Sequence, residues 1–348
     1  PRLFGIKHSN RDFSNKESWG KNQFNSSFPV ALACYMSDKG FENVYLKLDN
    51  NLKVSHDTIS SESLFGMVPH SEMLFFAFET PYTPYQQLLI GNMPRDDLVT
   101  QNSVSGNCLR GVEIKLTALP DNATCDLSEN RYGCELVIRP DTIVYLACGI
   151  AMLYKNEVDR LKKIIGNDFE NIVDWTEPNE VLPYVPKMVR VIEHITLDKI
   201  LFQEPFIMQP IWKTVGKSPI LANHCLDIFV WSNFAFTRLF LGMTTDSVTK
   251  INRSIRTIIW LFKMLYDFSQ MGQIDYSRII DELSFNTKND KAFAVNGKIT
   301  YPYMKSEFLT KPRIPKSEIK HIILGKGQNL LSPERRFDAI IYNSPDLF

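Results

Sequence analysis

The spacing of apolar positions changes along the chain. It divides the sequence into a strand-rich first half and a second half of mostly helical character. Residues 1–27 are polar, with Trp19 and Phe24 set among Asn, Ser and Lys. They read as an ordered loop, because the aromatic rings need a surface to pack on. Pro29 is a favoured first-turn residue, and PVALACYMSDKG predicts a helix from that point. NVYLKL and LKVSH flank Asp49-Asn50-Asn51 and predict a hairpin. EMLFFAFE is a short apolar run suited to a buried strand. Asp97 to Thr100 and Arg110 to Thr117 predict two strands around the polar loop QNSVSGN, and GCELVIR predicts another. Pro140 opens a predicted helix carrying TIVYLACGIAMLY.

From about Val185 to Leu283 the apolar spacing is mostly helical, with a broad apolar face in SIRTIIWLFKMLYDF. FAV, Asn296-Gly297 and KITY then predict a second hairpin. TKPRIPKSEIKH is a basic, proline-punctuated segment, and FDAIIY predicts a last strand. A soft boundary near WTEPNEVLP separates an expected core, 1–180, from an expected helical region with a terminal hairpin, 181–348.

Composition narrows the class. The 348 residues are 44% hydrophobic and 22% charged, enough for a sizeable core. Lys and Arg total 39 against 39 Asp and Glu, so the chain lacks the strongly basic surface of a simple nucleic-acid binder; a local basic cleft stays open. Cys34 and Cys148 sit in apolar stretches and read as buried thiols. Cys108, Cys125, Cys134 and Cys148 match no common zinc spacing. The start lacks the apolar core of a signal peptide, and the longest apolar run, Ile143 to Tyr154, falls short of a membrane span. A soluble, cytoplasmic protein is expected.

The strongest candidate chemistry is Asp97 with Glu113-Ile114-Lys115. Glu-x-Lys on a strand puts both side chains on one face, with Val112, Ile114 and Leu116 turned to the core. A paired strand carrying Asp97 would bring its carboxylate beside Glu113. Two carboxylates make a hard oxygen site for Mg²⁺, with room for water and a phosphate oxygen. Lys115 can orient or help deprotonate a water and offset developing negative charge. The triplet alone is a weak signal: with 39 acidic residues, chance yields about three acid-x-Lys triplets in a chain of this kind. The other occurrence is Glu318-Ile319-Lys320. A strand edge with solvated Glu and Lys is the plain alternative. Glu135 and Glu79 are minor candidates for the same site, a Glu135–Arg139 salt bridge being an ordinary use of the first. His224 reads as a helix-start or core residue, and Gly325-Lys326-Gly327 as a turn.

Several blocks in one order carry a more specific signal. LFGIKHSNRDFSNKESWGKNQFNSSFP, GVEIKLTALPD, YGCELVIRPDTIVYLACGIA and QPIWKTVGKSPIL together resemble the HindVP-like type II restriction endonucleases. The resemblance runs from residue 3 to about 221 and weakens after that. It implies the α/β PD-(D/E)xK nuclease fold, with a mixed central sheet flanked by helices. It also implies Mg²⁺-dependent cleavage of duplex DNA at the palindrome GRCGYC, and a DNA methyltransferase as genetic partner. It carries Glu113 and Lys115 onto the family's Glu and Lys. The upstream acid is Asp97 or Asp96, since the chain has Pro94-Arg95-Asp96-Asp97 rather than Pro-Asp. Asp97 is preferred because Leu98 and Val99 follow it as a strand would. Strand neighbours face opposite ways, so one of the two is expected to point into the site.

A nuclease must also grip phosphates and read bases. Lys311, Arg313, Lys316, Lys320 and His321 form the densest basic segment, a candidate backbone contact or a solvated linker. In a GRCGYC half-site the outer G offers O6 and N7, the R position shares only N7, and each C offers its N4 donor. Candidate readers are Asn22, Gln23, Lys213, Lys217, Arg335 and Arg336. A palindrome with one scissile bond per strand calls for a symmetric homodimer. IFVWSNFAF is a candidate interface, or simply core. Two other functions compete: a repair or modification-dependent nuclease of the same fold, and a non-catalytic DNA-binding protein on that scaffold.

Overall fold

A nine-stranded mixed sheet carries the fold, in the order β1-β4-β5-β6-β8-β9-β2-β3, with β11 also paired to β9. The computed structural model describes residues 6–11, 21–115, 136–214, 221–242, 249–288, 291–295 and 313–319. The strands are β1 (His8–Ser9), β2 (Asn43–Leu48), β3 (Val54–Ile59), β4 (Leu74–Thr80), β5 (Asp96–Asn102), β6 (Cys108–Ile114), β7 (Leu136–Ile138), β8 (Pro205–Thr214), β9 (Leu221–Ser232), β10 (Phe293–Val295) and β11 (Ile314–Pro315). The helices are α1 (Lys21–Asp38), α2 (Ser61–Phe65), α3 (Pro140–Leu153), α4 (Val158–Ile165), α5 (Pro178–Val181), α6 (Val185–Asp198), α7 (Asn233–Leu241), α8 (Arg253–Met271) and α9 (Tyr276–Glu282).

Side-chain alternation splits the core between the two faces of this sheet. Tyr45, Phe76, Phe78, Leu98, Val112, Ile114, Met208, Ile228 and Val230 pack with α1 and α2 on one face. Val44, Leu46, Ile207, Phe229 and Trp231 pack with α3, α6, α7 and α8 on the other. Helices on both faces explain why β9 reads as a nearly continuous apolar run from Cys225 to Trp231.

The acid-bearing strands form the expected hairpin. β5 and β6 pair antiparallel, with Leu98 opposite Val112. Asn102 Oδ1 accepts the N–H of Val104 at 2.9 Å and of Ser105 at 3.1 Å, which closes the turn. The β2–β3 hairpin is closed in the same way by Asp49 Oδ1, which accepts from Asn51 N and Lys53 N at 2.8 Å each.

The second half differs from the sequence reading. Within the span expected to be mostly helical, β8 and β9 are long paired strands. β8 joins β6 in parallel, and β9 joins β2 in parallel. One sheet therefore contains strands from both sides of the expected boundary near 180. An apolar run such as CLDIFVWS has no helical or strand period of its own; its Ile, Phe, Val and Trp favour the strand once both faces are covered. IFVWSNFAF is core: Ile228 to Phe236 are buried, and Ser232 ends the strand and caps α7 by accepting from Ala235 N. At the expected boundary, Trp175 of WTEPNEVLP packs on Phe262 and Tyr266 of α8.

Smaller departures follow local chemistry. α1 begins at Lys21 and keeps Pro29 inside it. FAV is β10 and pairs with β7 in a separate two-stranded sheet; Asn296-Gly297 and KITY lie outside the described residues, as does FDAIIY. His224 lies exposed on β9 rather than at a helix start. Cys34 and Cys148 are buried, and burial pushes both thiols up. Among the described residues no helix is long and apolar enough to cross a membrane.

Candidate active site

The start of β5, the end of β6 and the first turn of α3 meet at one place on the α3 side of the sheet. Val112 and Ile114 point to the α1 side, so Gly111, Glu113 and Lys115 take the opposite direction. Lys115 Nζ donates to Glu113 Oε1, and Thr142 Oγ1 on α3 donates to the same oxygen at 3.0 Å. Asp97 Oδ2 accepts the N–H of Ile114 at 2.8 Å, which fixes it to the strand that carries Glu113. Asp96 Oδ1 accepts the N–H of Asp97 at 2.9 Å, and the Asp96 carboxyl lies close enough to Glu113 to be repelled by it.

Both aspartates thus feel the charge of Glu113, where strand alternation led to the expectation that one would point into the site. They sit at the first residues of β5, where the chain is only beginning to pair, and their side chains leave by different routes. Asp96 is buried against Gly111 and Tyr82, and a β-carbon on Gly111 would lie 2.7 Å from Asp96 Oδ2 and 3.3 Å from Tyr82 Cγ. Gly111→Ala is therefore expected to displace Asp96, at a stability cost of about 1–3 kcal/mol from overpacking. A chemical-denaturation curve would check it, and an unchanged midpoint would show that the carboxyl gives way freely.

The electrostatics are those of crowded anions. Burial, then repulsion from Glu113 and Asp97, raises the Asp96 carboxyl well above the usual range. Burial and Glu113 raise Asp97 to about 7, against the opposing pull of Lys115 and the Ile114 N–H. Asp141, beside Thr142, is raised by burial and by Glu113. Burial alone would push the Lys115 ammonium down, but Glu113 and Asp97 outweigh it and hold it above its ordinary value. Lys115 is accordingly a fixed positive charge, better suited to stabilising negative charge than to acting as a base.

Among the described residues no group of three or more His, Cys, Asp or Glu stands in metal-holding arrangement. Two carboxylates completed by water and a phosphate oxygen are nevertheless a donor set that Mg²⁺ accepts. The carboxyls, raised by burial and by one another, are groups that a divalent cation would hold in the ionised form.

Other candidates are placed as follows. Glu79 has φ 50° and pairs with Arg11 at 3.0 Å; its charge raises Asp97 from outside the cluster. Arg313 is engaged bidentately by the buried Asp227, at 2.8 and 2.9 Å, and donates to Glu42 O at 2.8 Å. This clamps β11 onto β9 and β2 and occupies the guanidinium that was a candidate for phosphate. Asn22 and Gln23 lie in the first turn of α1 and Lys213 near the end of β8. Lys316 is partly buried. Lys217, Lys311, Lys320, His321, Arg335, Arg336, Glu135, Cys125 and Cys134 lie outside the described residues.

The sequence reading passed over Thr142 and Asp141. Their signal was present: Pro140-Asp141-Thr142 opens a helix, and a first-turn Thr or Asp is positioned to meet whatever faces that helix end.

The end of the β5–β6 hairpin thus gathers crowded carboxylates beside a charged lysine. A family model, HindVP restriction endonuclease, matches residues 19–348. Type II restriction enzyme HgiDI of Herpetosiphon aurantiacus is 46% identical over 349 residues, covering 100% of this chain and 97% of the relative. Probable type II restriction enzyme HindVP of Haemophilus influenzae is 48% identical over 350 residues, covering 100% of this chain and 95% of the relative. The chain therefore belongs to the HindVP restriction endonuclease family and, with it, to the type II restriction enzymes. No solved structure matches it.

Proposed function

We propose that the chain cleaves duplex DNA at a short palindrome of the GRCGYC type, using Mg²⁺ held by Asp97 and Glu113. The observation that carries the chemistry is the convergence of Asp97, Glu113 and Lys115 on one hairpin end, in a chain aligned along its whole length with type II restriction enzymes. The mixed sheet with helices on both faces is compatible with the PD-(D/E)xK nuclease architecture. A bound Mg²⁺ would polarise the scissile phosphate and lower the pKa of a coordinated water. Asp97 presents a carboxylate tied to β6 through Ile114. Asp96, more deeply buried, is the alternative ligand and adds to the charge that the ion offsets. Glu113 is held from two sides by Lys115 and Thr142. Lys115 places its ammonium where negative charge grows on the phosphate and orients the attacking water.

A palindrome offers two equivalent scissile bonds, and this chain presents one such centre among its described residues. The protein is therefore proposed to act as a symmetric homodimer, each copy reading one half-site. A DNA methyltransferase that modifies the same site is its proposed genetic partner.

Incubation with plasmid DNA in Mg²⁺ tests the activity, and sedimentation on a single-site duplex tests the assembly. Discrete fragments from GRCGYC sites, none in EDTA, and two chains per duplex are expected. Structure-dependent or smeared cutting would favour a repair nuclease. Binding without cleavage under any divalent ion would favour a non-catalytic binder. One chain per duplex would overturn the dimer alone.

A further inference from the structure

One face of α3 reaches β6 and the segment that leads into β5, the two strands that carry the acids. Thr142 Oγ1 donates to Glu113 Oε1 on β6. Three residues further, and so on the same helix face, Tyr145 OH donates to Pro94 O at 2.8 Å and accepts the N–H of Tyr82 at 3.0 Å. Pro94 lies two residues before Asp96. We propose that Thr142 and Tyr145 are positioning residues, through which α3 sets the spacing of Glu113 and the aspartates for a divalent cation. The inference rests on the active-site assignment above.

Thr142 is not doing what buried helical threonines do elsewhere in this chain. Thr196, Thr237 and Thr257 each turn back to the carbonyl four residues earlier in their own helix, at 2.9, 2.8 and 2.8 Å. In the first turn of α3 no helical carbonyl lies behind Thr142, and its hydroxyl reaches across to a residue 29 positions away. The side chain is 1% exposed, so the bond is not traded with water. Thr142 and Lys115 both donate to Oε1, which fixes the rotation of the carboxylate. An anchored carboxylate loses less freedom when it coordinates an ion, and partners of this kind alter metal affinity or activity about 10–100-fold in other sites. α3 is itself held by a buried face that packs into the core with α8, so the two hydroxyls are presented from a rigid support.

The test compares Thr142→Val, Thr142→Ser and Tyr145→Phe with the parent protein and with Glu113→Gln. The readouts are Mn²⁺ binding to the protein–DNA complex by electron paramagnetic resonance, and the Mg²⁺ concentration giving half-maximal cleavage. Thr142→Val is expected to weaken Mn²⁺ binding about tenfold or more and to raise the Mg²⁺ requirement in parallel. The rate at saturating metal should fall less. Thr142→Ser, which keeps the hydroxyl, should come back to within about threefold of the parent. Tyr145→Phe should move in the same direction as Thr142→Val. Thermal unfolding of each variant in EDTA monitors the fold, and the serine variant keeps the test decisive if valine disturbs it. Parental Mn²⁺ affinity in Thr142→Val, with binding lost in Glu113→Gln, overturns the positioning role alone. Parental Mn²⁺ affinity in Glu113→Gln overturns the active-site assignment itself.

Discussion

Glu113→Gln and Lys115→Ala are each expected to abolish detectable cleavage while leaving sequence-specific DNA binding close to that of the parent. Both groups lie at the hairpin end and turn away from the apolar face formed by Val112 and Ile114. Their replacement therefore opens no cavity in that core. Glu113→Gln keeps the shape and the capacity to accept from Thr142, but removes the charge that a divalent cation needs. Lys115→Ala removes the ammonium held against Glu113, and with it the compensation for negative charge on the phosphate. Losing one preorganised charge-stabilising group costs about 10²–10³ in rate in well-studied hydrolases, and losing a metal ligand costs at least as much. Single-turnover cleavage in Mg²⁺, with DNA binding measured in Ca²⁺, separates chemistry from affinity. A Glu113→Gln protein that cuts at the parental rate would move the centre elsewhere. Glu318-Ile319-Lys320 would be next in line: Glu318 Oε2 is buried and lacks a hydrogen-bond partner among the described residues.

Glu113 and Lys115 were legible because a strand period of two is a strong rule, and β6 obeys it: Val112 and Ile114 went to the core and left their neighbours together. The same rule failed one strand away. Asp96 and Asp97 begin β5, and a strand end does not impose the pleat that the interior does, so both carboxyls lie within the field of Glu113. The first-half hairpins were legible through turn residues such as Asp49 and Asn102, whose side chains close the turn themselves. β8 and β9 were not, because a strand covered on both faces shows no alternation and imitates a buried helix. Nor could sequence order reveal that β8 and β9 lie between β6 and β2, since that depends on long-range pairing. Arg313 illustrates a limit of reading charge from composition. It stands in the densest basic segment, yet it is consumed inside the fold by the buried Asp227.

Without divalent metal, the protein is expected to lose stability as pH rises toward and through 7, and Mg²⁺ should restore most where the loss is greatest. Folding lifts Asp97 from 3.8 to about 7, and lifts Asp96 well above its ordinary value. Between the unfolded and folded values the folded state holds more protons than the unfolded chain, so stability falls with rising pH. The contribution of Asp97 is neutral below about pH 4, where both states are protonated. It reaches its full penalty above about pH 7, where both are ionised and folding buries an anion beside Glu113. Divalent-ion binding opposes this penalty, because it requires the ionised carboxylates and stabilises only the folded state. The melting-temperature gain from Mg²⁺ should therefore be larger at pH 8 than at pH 6. Other groups titrate in the same interval, so the informative quantity is the difference between the parent and Asp97→Asn. An asparagine there carries no charge at any pH, so the variant should lose part of the decline in EDTA and most of its response to Mg²⁺. Parallel curves for the two proteins, with equal gains from Mg²⁺ at both pH values, would remove Asp97 from the metal site and leave Asp96 as the partner of Glu113.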